Sequence, residues 1–265
     1  MVTDALDDLM HLAKRVAGID LAEGKRSMVG SRLAKRLRVL GIGIADYARR
    51  CHQDPAELAH MVDLLTTNHT SWMREPAHFA DLEQRVLPAI AKAGRRRLRI
   101  WCAAAATGEE PYTIAMTVRR ALGELAGWDA AILATDISRR ALAKARAGLY
   151  DAARVADLDP GDRALALEEV EVDGERRLRV RSALRSLLAF AQLNLMGEWP
   201  MQGPFDVIFC RNVMIYFDTP TKERLVNRLA GLLAPGGTLY VGHAESLNGL
   251  THPLRTLGTA TYAAT

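Results

Sequence analysis

The chain has 265 residues, 49% hydrophobic and 25% charged, with a formal net charge of +4. That content supports one large folded unit or a small one beside a large one, and it excludes a disordered or low-complexity chain. No apolar run reaches the ~18 residues of a membrane span, and the acidic start from Met1 to Met10 lacks the basic-then-apolar order of a secretory signal, so a cytoplasmic protein without membrane insertion is expected.

Residues 1 to about 70 read as helices only. Thr3 is a candidate N-cap, and Leu6, Leu9, Ala13 and Val16 form one stripe before Gly18. In the next helix, Ser31 to Gly41, Leu33, Leu37 and Leu40 share one face while Arg32, Lys35 and Arg36 share another. Asp54-Pro55-Ala56-Glu57 then supplies a cap, a proline at the first helical position and an acid three residues after the cap, which predicts a helix to Leu65. Thr67 to Glu75 is dense in hydrogen-bonding groups and reads as a linker able to close over a ligand. A connecting helix completes the span to residue 97.

From Leu98 onward short apolar runs alternate with helical stretches, the pattern of a mostly parallel, doubly wound α/β sheet. Strands are expected at Leu98 to Cys102, Ala131 to Thr135, Leu187 to Leu193, Phe205 to Cys210, Thr238 to Gly242 and Thr259 to Ala263. Ser138 caps a helix that Gly148 stops. The polar stretch Asp151 to Arg185 is too long for a plain connection, and Val170 to Val180 reads as a hairpin turning near Asp173-Gly174. A small antiparallel β insert at about 165–186 follows.

The run Ile100 to Met116 passes from buried strand through a small-residue turn into a helix start, the place where such a sheet receives a nucleotide-like ligand. Ala103 to Ala106 and Gly108 keep side-chain bulk low, and the carboxylates Glu109 and Glu110 follow at once. There is no Gly-x-x-x-x-Gly-Lys-Ser/Thr cradle and no Gly-x-Gly-x-x-Gly turn, and two acids oppose a phosphate. A cationic nucleoside without phosphates fits better, which disfavours a nicotinamide dinucleotide. Asp136, after the second strand, suits ribose hydroxyls, although an acid at a helix start has the same sequence. Asn194 and Leu195 can flank a base, and Arg211, Asn212 and Tyr216 project near the same crevice, with Tyr216 equally readable as a core aromatic.

Cys51, Cys102 and Cys210 follow no ligand spacing and read as buried, reduced thiols, so no metal is expected. Basic clusters at Lys25 to Arg38, Arg95 to Arg99 and Arg176 to Arg185 suit an acidic partner or are solvated faces. Nothing resembles an RNA-binding aromatic platform.

Trp101 to Met116, Ala134-Thr135-Asp136-Ile137, Lys144-Ala145-Arg146 with Gly148-x-Tyr150, Phe205 to Phe217 and the linker Asn68-x-Thr70-x-x-x-Arg74-Glu75 together resemble the CheR family of chemotaxis-receptor protein-glutamate O-methyltransferases. The resemblance spans nearly the whole chain. It implies a Rossmann-like S-adenosylmethionine (SAM) methyltransferase domain over 98–265, an all-helical recognition domain over 1–70 and a linker with connecting helix over 71–97. It also implies glutamate esterification on the cytoplasmic helical bundle of a chemoreceptor, with S-adenosylhomocysteine as product, by a monomer that binds no nucleic acid. By position it implies Asn68, Thr70, Arg74, Ala104, Gly108, Glu110, Asp136, Asn194, Leu195, Arg211 and Asn212 around the cofactor. Arg74 and Tyr216 fall near the transferring methyl, and Arg32, Lys35 and Arg36 meet the receptor. Glu110 rather than Glu109 is the acid expected to face the cofactor.

The chain departs from the family pattern at Trp72-Met73, where Phe-Phe is usual, and at Cys102 and Ala106, where serines are common. Three other readings stay open: a SAM-dependent methyltransferase of a small molecule, one acting on nucleic acid, and a catalytically silent module that binds the cofactor as a signal. Arg74, Asp136, Arg211 and Tyr216 retained together argue against the silent module.

Overall fold

The computed structural model describes residues 2–21 and 23–265. The N-terminal part is helical: α1 (Val2–Ala17), α2 (Arg26–Leu40), α3 (Ile44–Gln53) and α4 (Pro55–Leu65). Leu9, Ala13, Val29, Leu33, Tyr47, Met61 and Leu65 form its core. The Thr3 cap falls on a side chain outside the described residues. Asp54 caps α4 as predicted, its carboxylate accepting from the backbone N–H groups of Ala56 and Glu57 at 2.9 and 3.3 Å. α2 starts five residues earlier than its apolar pattern suggests. α3 carries no sequence signal beyond three buried positions, Tyr47, Ala48 and Cys51.

The connecting helix runs through α5 (Ala77–Asp81), a wider turn at Leu82–Val86 and α6 (Leu87–Lys92). The Leu87 N–H reaches back to the Leu82 carbonyl just before Pro88, whose ring has no N–H to continue the regular ladder.

The sheet-forming elements then follow as β1 (Arg97–Cys102), α7 (Glu109–Leu122), β2 (Asp129–Asp136), α8 (Arg139–Ala147), β3 (Leu149–Tyr150), α9 (Pro160–Ala166), β4 (Leu167–Val172), β5 (Glu175–Val180), α10 (Ser182–Arg185), β6 (Leu188–Gln192), β7 (Phe205–Cys210), α11 (Thr219–Leu232), β8 (Leu233–Val241), β9 (Arg255–Gly258) and β10 (Thr261–Ala263). Among the described residues, the main sheet has seven strands in the order β6-β2-β1-β7-β8-β10-β9, parallel from β6 to β8, with β10 antiparallel to both its neighbours. Alternate residues feed two cores. Ile100, Cys102, Val207 and Phe209 face the layer that holds α5, α6 and α7, whereas Trp101, Ile208 and Cys210 face α11. The order reverses beside β1, so the crevice opens at the carboxyl ends of β1 and β7.

The fold is the expected doubly wound sheet with a helical N-terminal part and a small antiparallel insert, with differences in detail. The expected last strand, Thr259 to Ala263, is β10, and a further strand, β9, precedes it, where Arg255-Thr256-Leu257-Gly258 is an exposed edge without alternation. The insert's sheet has a third strand, β3, outside 165–186, in the order β3-β5-β4. The hairpin turns at Asp173 and Gly174, both with positive φ, as the pair predicts. α8 is capped by Ser138 and ended by left-handed Gly148.

Candidate active site

A cleft lies between the carboxyl edge of the sheet and the helical part. Its floor is Ala103, Ala104, Ala106, Asp136 and Arg211, its roof is the Thr66 to Thr70 linker with Arg74, and Ile19, Leu21 and Met28 close one side. The helical part is tied to this edge by backbone and charge. The Asp20 N–H donates to the Tyr216 carbonyl at 2.7 Å, and Lys14 pairs with Asp218 at 3.1 Å.

The small-residue turn is built from the sheet outward. The Ala103 N–H donates to the Phe209 carbonyl and the Ala105 N–H to the Thr135 carbonyl, both at 2.8 Å, which spreads the turn across three strand ends. Ala106 takes a left-handed conformation (φ 46°) and donates its N–H to Asp136 Oδ2 at 2.8 Å. Asp136 Oδ1 accepts from the Ser138 N–H at 2.8 Å. Asp136 therefore does what a helix-start acid does, and it also lines the cleft. Burial pushes its carboxyl above the usual range, against the pull of the backbone donors.

Glu110 lines the cleft; its neighbour Glu109 does not. Glu109 is buried on the other side, where it accepts from the Thr107 hydroxyl at 2.6 Å and pairs with Arg154. Glu110 accepts from Arg211 Nη1 at 2.9 Å and from the Cys102 thiol at 3.3 Å. Burial raises the Glu110 carboxyl, and Arg211 and Cys102 oppose that. The Arg211 side chain is itself buried: Nη2 donates to the Arg74 carbonyl at 2.5 Å and pairs with Glu75 at 3.0 Å. One guanidinium thus joins the linker to the first turn of α7, its charge balanced by two carboxylates.

The loop after β7 is held by a residue that sequence reasoning missed. Glu245 is buried, and its carboxylate accepts from the N–H groups of Asn212 (2.6 Å), Gly242 (2.7 Å) and Ile215 (3.1 Å). Three backbone donors on one anion fix the segment that carries Asn212 and Tyr216. Gly242 permits this approach, since a Cβ there would lie 2.5 Å from Asn212 Nδ2. The available signal was an acid just beyond an apolar strand at the same sheet edge.

Ten of the residues expected around a cofactor, Asn68, Thr70, Arg74, Ala104, Glu110, Asp136, Asn194, Leu195, Arg211 and Asn212, line this cleft together with Tyr216. Gly108 stands apart. A Cβ on it would sit 2.8 Å from the Tyr150 hydroxyl and 3.0 Å from Ala145, so the glycine serves helix-to-turn packing, not an approach to the cleft. Asn194 is committed as well: its amide donates to the Val16 carbonyl at 2.6 Å and accepts from the Met196 N–H at 2.9 Å, which joins the helical part to the sheet. Half-buried Arg74 donates to the His69 carbonyl at 3.1 Å, and Tyr216 has the Lys25 ammonium 5.8 Å from its ring centre. Trp72, where a phenylalanine is usual, packs between Tyr112 and Tyr150.

The basic face of α2 differs from expectation. Arg32 donates to the Leu65 carbonyl (2.5 Å), the Thr66 carbonyl (3.2 Å) and the Thr67 hydroxyl (2.9 Å). Arg36 grips buried Glu57 with two bonds of 2.8 and 2.5 Å. Both arginines fasten α2 to α4, and only Lys35 of the three stands exposed. Glu75, His78 and His243 bring ligand-type atoms together, but Arg211 at 3.0 Å from Glu75 puts a fixed positive charge beside the carboxylate a cation would need. Cys51, Cys102 and Cys210 are buried and free, as expected. Among the described residues, no helix is long and apolar enough to cross a membrane.

Two family descriptions match the chain: "CheR methyltransferase, all-alpha domain" over residues 4–66 and "CheR methyltransferase, SAM binding domain" over 68–263. The chain belongs to the CheR methyltransferase family. It is 44% identical over 252 residues to a probable chemotaxis protein methyltransferase of Rhizobium etli, covering 93% of this chain and 94% of that one. It is 42% identical to the chemotaxis protein methyltransferase of Klebsiella aerogenes (97% and 88% covered) and 41% identical to chemotaxis protein methyltransferase 2 of Pseudomonas aeruginosa (94% and 89%).

Proposed function

We propose that this chain transfers a methyl group from SAM to glutamate side chains on the cytoplasmic helical region of a chemoreceptor, forming the glutamate 5-O-methyl ester. The observation that carries the reading is a single cleft lined by acids suited to a cationic nucleoside, Asp136 and Glu110, and by Arg74 and Tyr216, suited to a carboxylate. The naming of its relatives as chemotaxis protein methyltransferases supports it. In this reading residues 1–70 recognise substrate, 71–97 connect, and 98–265 form the catalytic domain of a cytoplasmic enzyme.

The residues present fit the cofactor. Asp136 offers a carboxylate for ribose hydroxyls, Ile137 and Leu195 offer apolar sides for a base, and the alanines of the turn leave the floor low. Asn68, Thr70 and Asn212 supply polar groups around the same space. Arg211 and Asn194 act by holding Glu110 and the domain contact in place. Bound SAM supplies a methyl group on a sulfonium, which departs as the neutral thioether of S-adenosylhomocysteine.

The chain's own task is positioning. A glutamate carboxylate has an ordinary pKa near 4.3, so at neutral pH it is already the nucleophile and needs no general base. Arg74 holds this carboxylate and the Tyr216 hydroxyl orients it. The linker excludes water, which otherwise stabilises the separated charges that disappear as the ester forms. Neither group should grip the anion so firmly that the ground state is favoured over the transition state.

The deciding experiment incubates the protein with methyl-labelled SAM and a chemoreceptor cytoplasmic fragment, then treats the product with mild alkali. Label released as methanol is expected. Label that resists alkali, or that resides on a different acceptor, overturns the reading in favour of a SAM-dependent methyltransferase of a small molecule or other acceptor.

A further inference from the structure

A second cavity opens beside the cleft, between α8 and the small β3-β5-β4 sheet, and Asn68 lines both. Four cations border it, Arg140, Lys144, Arg154 and Arg177, against two acids, Glu109 and Asp151. Their commitments differ. Arg154 pairs with Glu109 and donates to the Thr70 carbonyl at 3.3 Å, which ties the insert to the linker. Arg177 pairs with Asp151 and Glu175. Arg140 and Lys144, one helical turn apart on α8, are exposed and have no ion-pair partner among the described residues.

We propose that this groove receives acidic side chains flanking the esterified glutamate, with Arg140 and Lys144 as the cations that meet them. The inference rests on the proposed glutamate-ester activity and names the surface that selects an acidic acceptor segment. Three observations support it. The groove carries two positive charges in excess, it is continuous with the cleft at Asn68, and its free cations repeat at the spacing with which acids recur on one face of a helix. On α2, by contrast, the guanidinium groups of Arg32 and Arg36 are already bonded to α4, and of the three cations read as a docking face only Lys35 stands exposed without a bond of this kind.

The test is the double variant Arg140→Glu/Lys144→Glu in the full chain, with Arg255→Glu as control on β9 at the far edge of the sheet. Glutamate at 140 sits in the first turn of α8, where an acid suits the helix dipole, whereas glutamate at 144 in the last turn opposes it, so Arg140→Glu alone is measured beside the double variant and circular dichroism checks that both fold. The KM for a receptor fragment should rise by about five- to tenfold, with kcat and SAM affinity unchanged, and added salt should shrink the difference. A second measurement needs no turnover: fluorescence anisotropy of a labelled glutamate-rich peptide, expected to bind the wild type and Arg255→Glu alike and the double variant more weakly. Unchanged KM and unchanged peptide binding overturn the inference, as does an equal change in the control. A double variant that loses affinity for an RNA oligomer but not for the acidic peptide overturns it too, since the groove would then serve nucleic acid. If the wild type binds the peptide but esterifies no receptor fragment, the failure belongs to the proposed activity and the groove stands.

Discussion

In α2, Arg32 reaches the last carbonyls of α4 and Arg36 grips Glu57, so a stripe that reads as a docking face also fastens α2 to α4. In α8, Arg140 and Lys144 project beside a second cavity without ion-pair partners among the described residues. Both are basic pairs one helical turn apart. The difference lies in what packs opposite: α4 presents a buried carboxylate and a bare helix end, whereas α8 presents its cations to the groove. A basic residue's availability is a tertiary property, and committed charges should govern stability while free ones govern kinetics.

The largest effect tests the committed side. Arg36→Ala removes the two shortest bonds of Glu57, 2% exposed, and leaves the more distant Arg50 at 3.5 Å as its ion-pair partner among the described residues, so it should lower stability by about 2–3 kcal/mol. Arg140→Ala should stay within about 0.5 kcal/mol of wild type. Arg36 holds the Glu57 carboxyl below its ordinary range, so this stabilisation is present at neutral pH and is lost as pH falls through the lowered pKa, below 4.5. Denaturant unfolding of both variants at pH 7 and pH 4 measures this; equal losses at pH 7 break the comparison.

Next come the two groups of the cleft assigned to the acceptor carboxylate. Tyr216→Phe should slow methyl transfer about 10- to 100-fold, the worth of one hydrogen bond to a charged group, and Arg74→Ala at least as much. SAM affinity, measured by calorimetry, should change far less. Unchanged turnover in both variants removes them from the acceptor site.

Local chemistry was legible in the sequence. Asp54-Pro55, Ser138 with Gly148 and Asp173-Gly174 announce a cap, a helix and a turn, because each acts within four residues. The short apolar runs of β1 and β7 between helical stretches announced the sheet, but not the division of its two faces into separate cores. The cleft residues were legible as positions, since strand ends meet at one edge, but their partners were not. Arg211 meets Glu110 and Glu75 across 101 and 136 residues of chain, and Glu245 reaches Asn212 across 33; no local pattern encodes such pairs. The two-residue β3 and the edge strand β9 are set by pairing rather than propensity.

A smaller effect concerns Glu110. A cationic ligand favours its ionised form, and burial raises its pKa, so SAM affinity should weaken as pH falls through that raised value. Cys102→Ser replaces a weak S–H donor 3.3 Å away with a hydroxyl, which favours the carboxylate. The loss of affinity should therefore move to lower pH in the variant. An identical pH profile shows that Glu110 does not titrate with binding.

The smallest expected effect is at Ala106. Its N–H orients Asp136, its methyl lines the cleft, and its left-handed backbone is about equally unfavourable for alanine and serine. Ala106→Ser should leave stability unchanged while adding one hydroxyl to the floor. If that hydroxyl is the group relatives with a serine use, SAM should bind about two- to fivefold tighter by calorimetry, the net worth of one neutral hydrogen bond. No tightening means that the Asp136 carboxylate already satisfies the cofactor at this corner, and that the lost hydroxyl has no consequence for this chain.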